Sequence, residues 1–403
     1  VSGAVLTLNA GSSSLKFALF ALADRPRLRR SVSGQIEGIG SEAHFRARNA
    51  RGDDLSGPRW NDGQKLRHED FLAKLLSWID DQLDGAQLAC VAHRVVHGGS
   101  KFTAPVVLDE RIMLELEALT PLAPLHQPHN IAAMRAIAKL RQGVPQIACF
   151  DTAFHQTIEF PANRFALPRD VEARGVRRYG FHGLSYEYVA GKLKEIAPEI
   201  AEKRVVIAHL GSGASLCALS EGRSVDTTMG LTPLDGLVMG TRCGAIDPGI
   251  LLYLMQACAM SAAELQDLLY NRSGLLGVSG LSDDVRNLLA SRDPRAAEAL
   301  EMFVFHVARE VGALCSTLGG IDALVFTGGI GEHAAKIRAL VCEKLDWLGI
   351  ACDAGANKRN GPPITSSRSA VRAFVVPTDE EVMIARHADA LLRSAFTKAR
   401  PRA

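Results

Sequence analysis

The sequence predicts an α/β protein built from two related halves, and three observations carry that expectation. Apolar strand-like runs alternate with helical patterns along the chain. A strand–Gly/Ser turn–strand unit near the N-terminus reappears 200 residues later. Glycine, at 36 of the 403 residues, exceeds the usual ~7% and clusters where strands end. The length suits two to three domains at roughly 150 residues each. A chain of this size can bury a sizeable core without disulfides or metals.

The elements follow in order. Val5–Leu8 and Leu15–Leu22 read as strands joined by a Gly/Ser turn, and 31–37 adds a third. The polar, turn-rich stretch 40–65 reads as an edge hairpin or loop. Phe71, Leu72, Leu75, Leu76 and Ile79 recur at helical spacing, which predicts an amphipathic helix over 69–83. A strand then leads into His93–Gly99, 109–119 and 129–141 are helical, and Gln146–Phe150 is a buried strand ending at Asp151. The second half repeats the scheme. Strand Arg204–Ala208 runs into the turn His209–Ser215 and a further strand. Helices are expected at 249–270, 283–291 and 295–318. Strand Ala323–Phe326 ends in TGGIGEH, and a helix over 334–347, a loop near 355–370, a strand at 372–376 and a final helix complete the chain.

Shifted by 200, Val5–Ser12 falls on Val205–Ser212 and Ala18-Leu19 on Ala218-Leu219. Short β-turn-β units share composition, so coincidence is one reading. The other is a duplicated domain in which each half opens with a hairpin whose turn faces a central cleft. Two such turns could clamp a polyphosphate.

Charge and cysteines narrow the function class. The formal net charge is +2, with 46 Lys and Arg against 44 Asp and Glu, so no global field favours nucleic acid. Apolar residues at 47% and charged ones at 22% exclude disorder, collagen and a coiled coil. The eight cysteines show neither CxxC nor zinc-finger spacing and read as reduced thiols. VSGAVLTLNAG lacks the pattern of a signal peptide. The longest uncharged apolar stretch, Gly249–Ala263, is shorter than the ~20 residues of a membrane span. A cytoplasmic protein with no membrane partner is expected.

The glycine turns have a chemical use. Backbone N–H groups reach a phosphate when no Cβ intervenes, and Ser adds a short donor. Segments 9–16 (NAGSSSLK), 209–215 (HLGSGAS), 240–244 (GTRCG) and 327–332 (TGGIGE) all qualify. Neither G-x-x-x-x-G-K-[ST] nor G-x-G-x-x-G occurs, which excludes a P-loop and disfavours a Rossmann site. Arg94 and Arg242 stand beside glycines, and a guanidinium matches phosphoryl or carboxylate oxygens bidentately. Mg²⁺ takes one or two carboxylates, and Asp151 and Glu380 sit at element ends. Thr378-Asp379-Glu380-Glu381 has a capping-box pattern, with Thr378 as N-cap and Glu381 as its partner. His182, between Phe181 and Gly183, could donate to a phosphoryl oxygen or merely occupy a turn. HExxH spacing is absent.

These residues are similar to the acetate kinase family. The resemblance rests on LNAGSSSLKFALF (8–20), AHRVVHGG (92–99), PLHQPHN (124–130), FDTAFH (150–155), RRYGFHG (177–183), AHLGSGAS (208–215), DTTMGLTPLDGLVMGTRCG (226–244), FTGGIGEH (326–333) and PTDEE (377–381). It spans residue 5 to about 390. It implies two ribonuclease-H-like domains of the actin and hexokinase type with ATP in a central cleft. The first would take 1–150 with 380–403, the second 151–379.

The resemblance also implies residue roles. Asn9, Ser12, Ser14 and Lys16 would line the phosphoryl site, with Asn9 and Glu380 at Mg²⁺ (Mn²⁺ as substitute) and Asp151 positioning it. Arg94 and Arg242 would bind the acyl carboxylate and the migrating phosphoryl group, and His182 would hydrogen-bond that group. His209, Leu210, Gly211, Ser212 and Gly213 would hold ATP phosphates. Asp284, Val285, Arg286, Gly329, Ile330 and Gly331 would surround the adenosine. Val96, Leu125, Phe181 and Pro233 would form the pocket for the acyl methyl. The reaction implied is reversible, Mg²⁺-dependent transfer from ATP to acetate, giving acetyl phosphate and ADP. A homodimer is implied as well.

Three departures fall on nucleotide-contact segments: Ser212 for the common Asn, Ala245 for an acid, and His333-Ala334 for Asn-Ser. Rival readings are a propionate or other short-chain acyl kinase, a nucleotide-regulated binding protein of the actin type, and a sugar kinase. A sugar kinase should present an acid as general base to a hydroxyl, whereas paired arginines suit an acid substrate.

Overall fold

The structure, a computed structural model, describes residues 3–11, 14–22, 28–60, 66 and 68–398. It is mixed α/β with two sheets, consistent with two actin-like ATPase domains. The chain divides into two compact units, Val1–Ala153 with Asp379–Ala403, and Phe154–Thr378. The division falls a few residues from the expected 150/151 and 379/380, and Asp151 and Asp379 go with the first unit.

In the first unit, strands β1 (Gly3–Ala10), β2 (Ser14–Ala21), β3 (Arg29–Glu37), β4 (His44–Asn49), β5 (Asp54–Leu55), β6 (Gln87–Val95), β7 (Val106–Val107) and β8 (Gln146–Phe150) form one sheet. Its order is β5-β4-β3-β2-β1-β6-β8-β7. β1 is antiparallel to β2 and parallel to β6, which is parallel to β8. Helices His68–Gln82 and Gln127–Leu140 contribute Phe71, Leu75, Ile79, Ala133 and Ile137 to the core built on Leu6, Leu8, Phe17 and Leu19. The C-terminal helix Glu380–Lys398 packs on β1, β6 and β8 and buries Met383, Ile384, Ala385 and Ala388. With helices on both sides, Val5, Leu6, Thr7 and Leu8 of β1 are all buried, hence their mostly apolar run, in which the Thr7 hydroxyl donates to the Ala18 carbonyl.

The second unit has β9 (Val205–Leu210), β10 (Ala214–Ser220), β11 (Arg223–Thr227), β12 (Ala323–Thr327) and β13 (Arg372–Val375), in the order β11-β10-β9-β12-β13. β9 is antiparallel to β10 and parallel to β12, which is parallel to β13. Helix Gly183–Ile196 packs Tyr186, Val189 and Leu193 on Val205, Ile207 and Cys217, and helix Pro294–Leu318 packs on β10. The five central strands of the first sheet, β3-β2-β1-β6-β8, have the same order and sense. The offset of 200 sets β1 on β9 and β2 on β10, so the echo is a repeated unit.

Three expectations change. The helix expected over 249–270 is two, Pro248–Gln256 and Ala262–Asn271. Ala259 has φ of +51°, which ends a right-handed helix, and Ser261 restarts it through a capping box with Glu264. The TGGIGEH turn is one short helix, Gly328–His333, before Ala335–Lys344. The C-terminal helix is capped by Asp379, whose Oδ1 accepts from Val382 N at 3.1 Å. Thr378 is therefore outside the cap, its buried hydroxyl has no hydrogen-bond partner among the described residues, and the cap pairs Asp379 with Val382 rather than Thr378 with Glu381. A carboxylate one residue later fills the role better, because it also meets the positive helix end.

Each unit buries a neutral histidine. His93 Nε2 meets Gln146 Oε1 at 2.8 Å, and His155 bonds Ser224 Oγ and the Phe181 carbonyl. Burial pulls both down to about 4. In the unfolded chain they titrate near ~6.5, so unfolding takes up protons between those values. Their contribution is complete above the unfolded value and is lost as pH falls toward 4, by about 3 kcal/mol each. The urea midpoint should therefore fall from pH 7 to pH 4.5. His93→Gln and His155→Gln should each flatten the profile; unchanged slopes in both would contradict this account.

Candidate active site

In the first unit the polar side chains emerge at the carboxyl ends of three neighbouring parallel strands. Asn9 lies near the end of β1, Arg94 near the end of β6, and Asp151 directly follows β8. Arg94 Nε donates to Asp151 Oδ1 at 2.9 Å and Oδ2 at 3.1 Å, and Nη2 donates to Oδ2 at 2.5 Å. Nη1 donates to Asn9 Oδ1 at 3.3 Å, and Asn9 Nδ2 donates to Glu380 Oε2 at 3.5 Å. Glu380 Oε2 lies 3.8 Å from Arg94 Nε. The Asp151 side chain is 1% exposed and that of Arg94 20%. Burial opposes the Arg94 charge, yet Asp151 and then Glu380 outweigh it and raise its pKa. Arg94 is thus a permanent cation in a fixed orientation.

Lys16 pairs with Asn9 across β1 and β2, so both stand on one face of the sheet. Ser14 is half-buried at the start of β2, while Ser12 lies outside the described residues. Lys16, Arg30, Ser33, Gln35, Arg46 and Glu381 line a cavity of about 410 Å³. Arg30 pairs with the capping Asp379. Burial, then the Glu380 charge, pushes the Glu381 carboxyl up, against the pull of Lys16.

In the second unit two histidines meet. His182 precedes helix Gly183–Ile196 with φ of +60°, a strained conformation for a residue with a Cβ. Its ring stacks on His209 with centroids 4.2 Å apart. His182 Nδ1 bonds Ser215 Oγ at 2.8 Å, and Ser215 Oγ bonds Tyr186 Oη at 2.5 Å. His209 Nδ1 bonds Ser185 Oγ at 2.8 Å. A Cβ added to Gly213 would stand 2.7 Å from Arg242 Nη2 and 3.3 Å from His182 Nε2. A Cβ there would push the Arg242 guanidinium aside, and Arg242 and His182 converge on the open side of Gly213. Arg242 Nη1 donates to the Pro233 carbonyl at 2.6 Å, which aims the guanidinium.

The other expected residues divide. Gly211 and Ser212 lie in the β9–β10 turn, where the Ser212 carbonyl accepts from Gly240 N at 3.1 Å. Leu210 and Val285 have buried side chains, so only their backbones can face a ligand. Asp284 caps helix Val285–Ala290 and pairs with the exposed Arg286. Gly329, Ile330 and Gly331 form the helix after β12, where Glu332 Oε1 accepts from Gly328 N and Thr378 N. Phe181 and Pro233 are buried in the second unit, and Val96 is buried in the first, where Leu125 is half-buried.

Comparison with known proteins identifies the family. The acetokinase family matches residues 4–386. An acetate kinase of Rhodopseudomonas palustris is 52% identical over 96% of this chain and 98% of its own. The chain belongs to the acetokinase family. Among solved structures, a propionate kinase of Francisella tularensis has a TM-score of 0.88 at 36% identity, covering 96% of this chain and 98% of its own. Porphyromonas gingivalis acetate kinase has 0.84 at 38%, covering 97% and 100%.

The family works with ATP, usually with Mg²⁺. The Glu380 carboxylate and the Asn9 amide oxygen are hard oxygen donors of the type Mg²⁺ takes, one or two carboxylates with water, and here Asn9 Oδ1 accepts from Arg94 while Glu380 accepts from Asn9. Among the described residues no group of three His, Cys, Asp or Glu gathers. Both Asp151 oxygens already accept from Arg94.

Sequence reasoning missed Ser215, Tyr186, Ser185, Arg178 and Arg338. Tyr186 lies four residues after His182, the same-face spacing of a helix, and Ser215 is a polar residue within a buried strand. Arg178 ties the RRYGFHG loop to the carbonyls of Thr227, Thr228 and Met229. The fully buried Arg338 donates to the carbonyls of Gly331 and Glu332. Asp151→Ala should destabilise the protein by about 3 kcal/mol, because it strands a mostly buried cation. Chemical denaturation checks this, and Arg94→Met with Asp151→Ala together should lose less than the sum of the two.

Proposed function

We propose that the chain carries out reversible, Mg²⁺-dependent transfer of the ATP γ-phosphoryl group to acetate. ATP-dependent phosphorylation of acetate is the activity of the chain, a phosphotransferase. The observation that carries the finer reading is the convergence of Arg242 and His182 on the open side of Gly213. Acetate is ionised at pH 7, so its oxygen can attack without a general base. The new bond joins that oxygen to the γ-phosphorus, and the bond to the β–γ bridging oxygen breaks, releasing ADP. In such a transition state charge spreads over the equatorial oxygens.

Arg242, aimed by Pro233, and Arg94, fixed by Asp151, neutralise that charge. His182 donates to the same group. Asp151 acts by orienting Arg94. Mg²⁺ held at Glu380 and Asn9 would neutralise phosphate charge. Ser14 and Lys16 meet phosphate, and the turns at 209–213 and 329–331 meet the nucleotide with Asp284 and Arg286. Val96, Leu125, Phe181 and Pro233 receive the acyl methyl.

Likeness to the propionate kinase of Francisella tularensis favours a second reading, propionate as substrate. One methylene is worth ~1–3 kcal/mol in an apolar pocket, so kcat/KM for acetate against propionate separates them. Hydroxamate trapping with ATP and Mg²⁺ should give acetyl hydroxamate; no acetate-dependent product would overturn the proposal. Arg242→Ala should lower turnover by roughly 10²–10³-fold, as for loss of one preorganised donor. Near-normal turnover would refute its role.

We propose a homodimer as well. Helix Pro248–Gln256 leaves Ile250, Leu252, Tyr253 and Met255 exposed at 44, 58, 63 and 46%, an apolar face suited to an interface. Light scattering of Leu252→Asp should then report a monomer. A cytoplasmic location is consistent with the absence, among the described residues, of any helix long and apolar enough to cross a membrane.

A further inference from the structure

We propose that Tyr186 and Ser215 are positioning residues that hold His182 in the tautomer bearing its proton on Nε2, so that the neutral ring is a hydrogen-bond donor beside Arg242. This rests on the phosphoryl-binding role proposed for His182 and goes beyond it.

The argument is a count of protons in a buried chain of three groups. Tyr186 and Ser215 are fully buried. Among the described residues, the Tyr186 hydroxyl has Ser215 Oγ as its hydrogen-bond partner at 2.5 Å. The Ser215 hydroxyl has Tyr186 and, at 2.8 Å, His182 Nδ1. Burial raises the Tyr186 phenol well above its ordinary value, so it keeps its proton. A buried O–H without an acceptor is disfavoured, which makes Tyr186 the donor to Ser215. The Ser215 proton then has one acceptor left, Nδ1 of His182. A neutral imidazole carries one N–H, so an accepting Nδ1 puts the proton on Nε2.

The reverse order, with Nδ1 donating to Ser215, fails the same count. Ser215 would then donate to Tyr186 and leave the phenolic proton with no acceptor, or both neighbours would donate to Ser215 and leave its own proton unplaced. The direction of Nε2 completes the case. It faces the open side of Gly213, where Arg242 Nη2 also arrives. A donor there adds to the guanidinium on a phosphoryl oxygen, whereas a bare nitrogen would repel it. Helix geometry supplies the phenol: Tyr186 stands one turn after His182, and its backbone N–H bonds the His182 carbonyl at 3.0 Å. Stacking on His209 fixes the plane of the ring.

Nitrogen-15 NMR of the full chain labelled at histidine tests this, with the His182 signals assigned by their loss in His182→Gln. The wild type should show a protonated Nε2 and a bare Nδ1 at neutral pH. Ser215→Ala should shift the population toward Nδ1–H, and Ser215→Thr, which keeps the hydroxyl, should restore the wild-type pattern. Ser215→Ala and Tyr186→Phe should lower kcat by roughly 10–100-fold, the range for groups that orient a functional side chain, with KM for acetate and ATP little changed. A wild-type His182 protonated on Nδ1 would overturn the proposal, and that result needs no variant to fold. So would wild-type kcat and tautomer in both variants. Full turnover in His182→Gln would overturn the role of His182 itself, and is separable because the tautomer is read without turnover.

Discussion

The central strands of both sheets are covered on both faces, and the rest of the arrangement follows from that constraint. A strand buried on two sides has no place for a charge along its length, since an unpaired buried ion is costly. Polar groups can leave the core only at strand ends. Asn9, Arg94 and Asp151 occupy the ends of β1, β6 and β8, which are parallel neighbours and finish on one edge. His209 and Thr327 hold matching places at the ends of β9 and β12. Open α/β sheets gather ligands outside the carboxyl ends of their strands for this reason.

The guanidinium in each unit is steered by a different means. Arg94 is held by a buried carboxylate, which sets both its charge and its plane. Arg242 donates to the Pro233 carbonyl, which helps to orient it. Gly213 lets Arg242 and His182 approach one point, because a Cβ there would displace the Arg242 guanidinium and crowd the His182 ring.

Much of the fold was legible. Strand runs, the helix with Phe71, Leu75 and Ile79, and the repeat at offset 200 are local patterns of hydrophobicity, and burial preserves such patterns. The segment between Asp151 and Lys203 yielded no element in the sequence, yet it holds helix Gly183–Ile196 and with it Tyr186. Its polar and glycine-rich approach hid the periodicity. The break at Ala259 and the cap at Asp379 were misread because each depends on a backbone angle or a one-residue register, where composition is nearly silent.

The amino-acid sequence alone determined the chemical inventory: two arginines beside glycines, a histidine in a turn, acids at element ends, and motifs specific enough to identify a family. Tertiary structure alone decided the partnerships. That Asp151 grips Arg94 across 57 positions, and that Ser215 lies between Tyr186 and His182, follows from strand order and helix packing. Hydrogen bonds between residues far apart in the chain leave no periodic mark, so only the folded backbone brings donor and acceptor within reach.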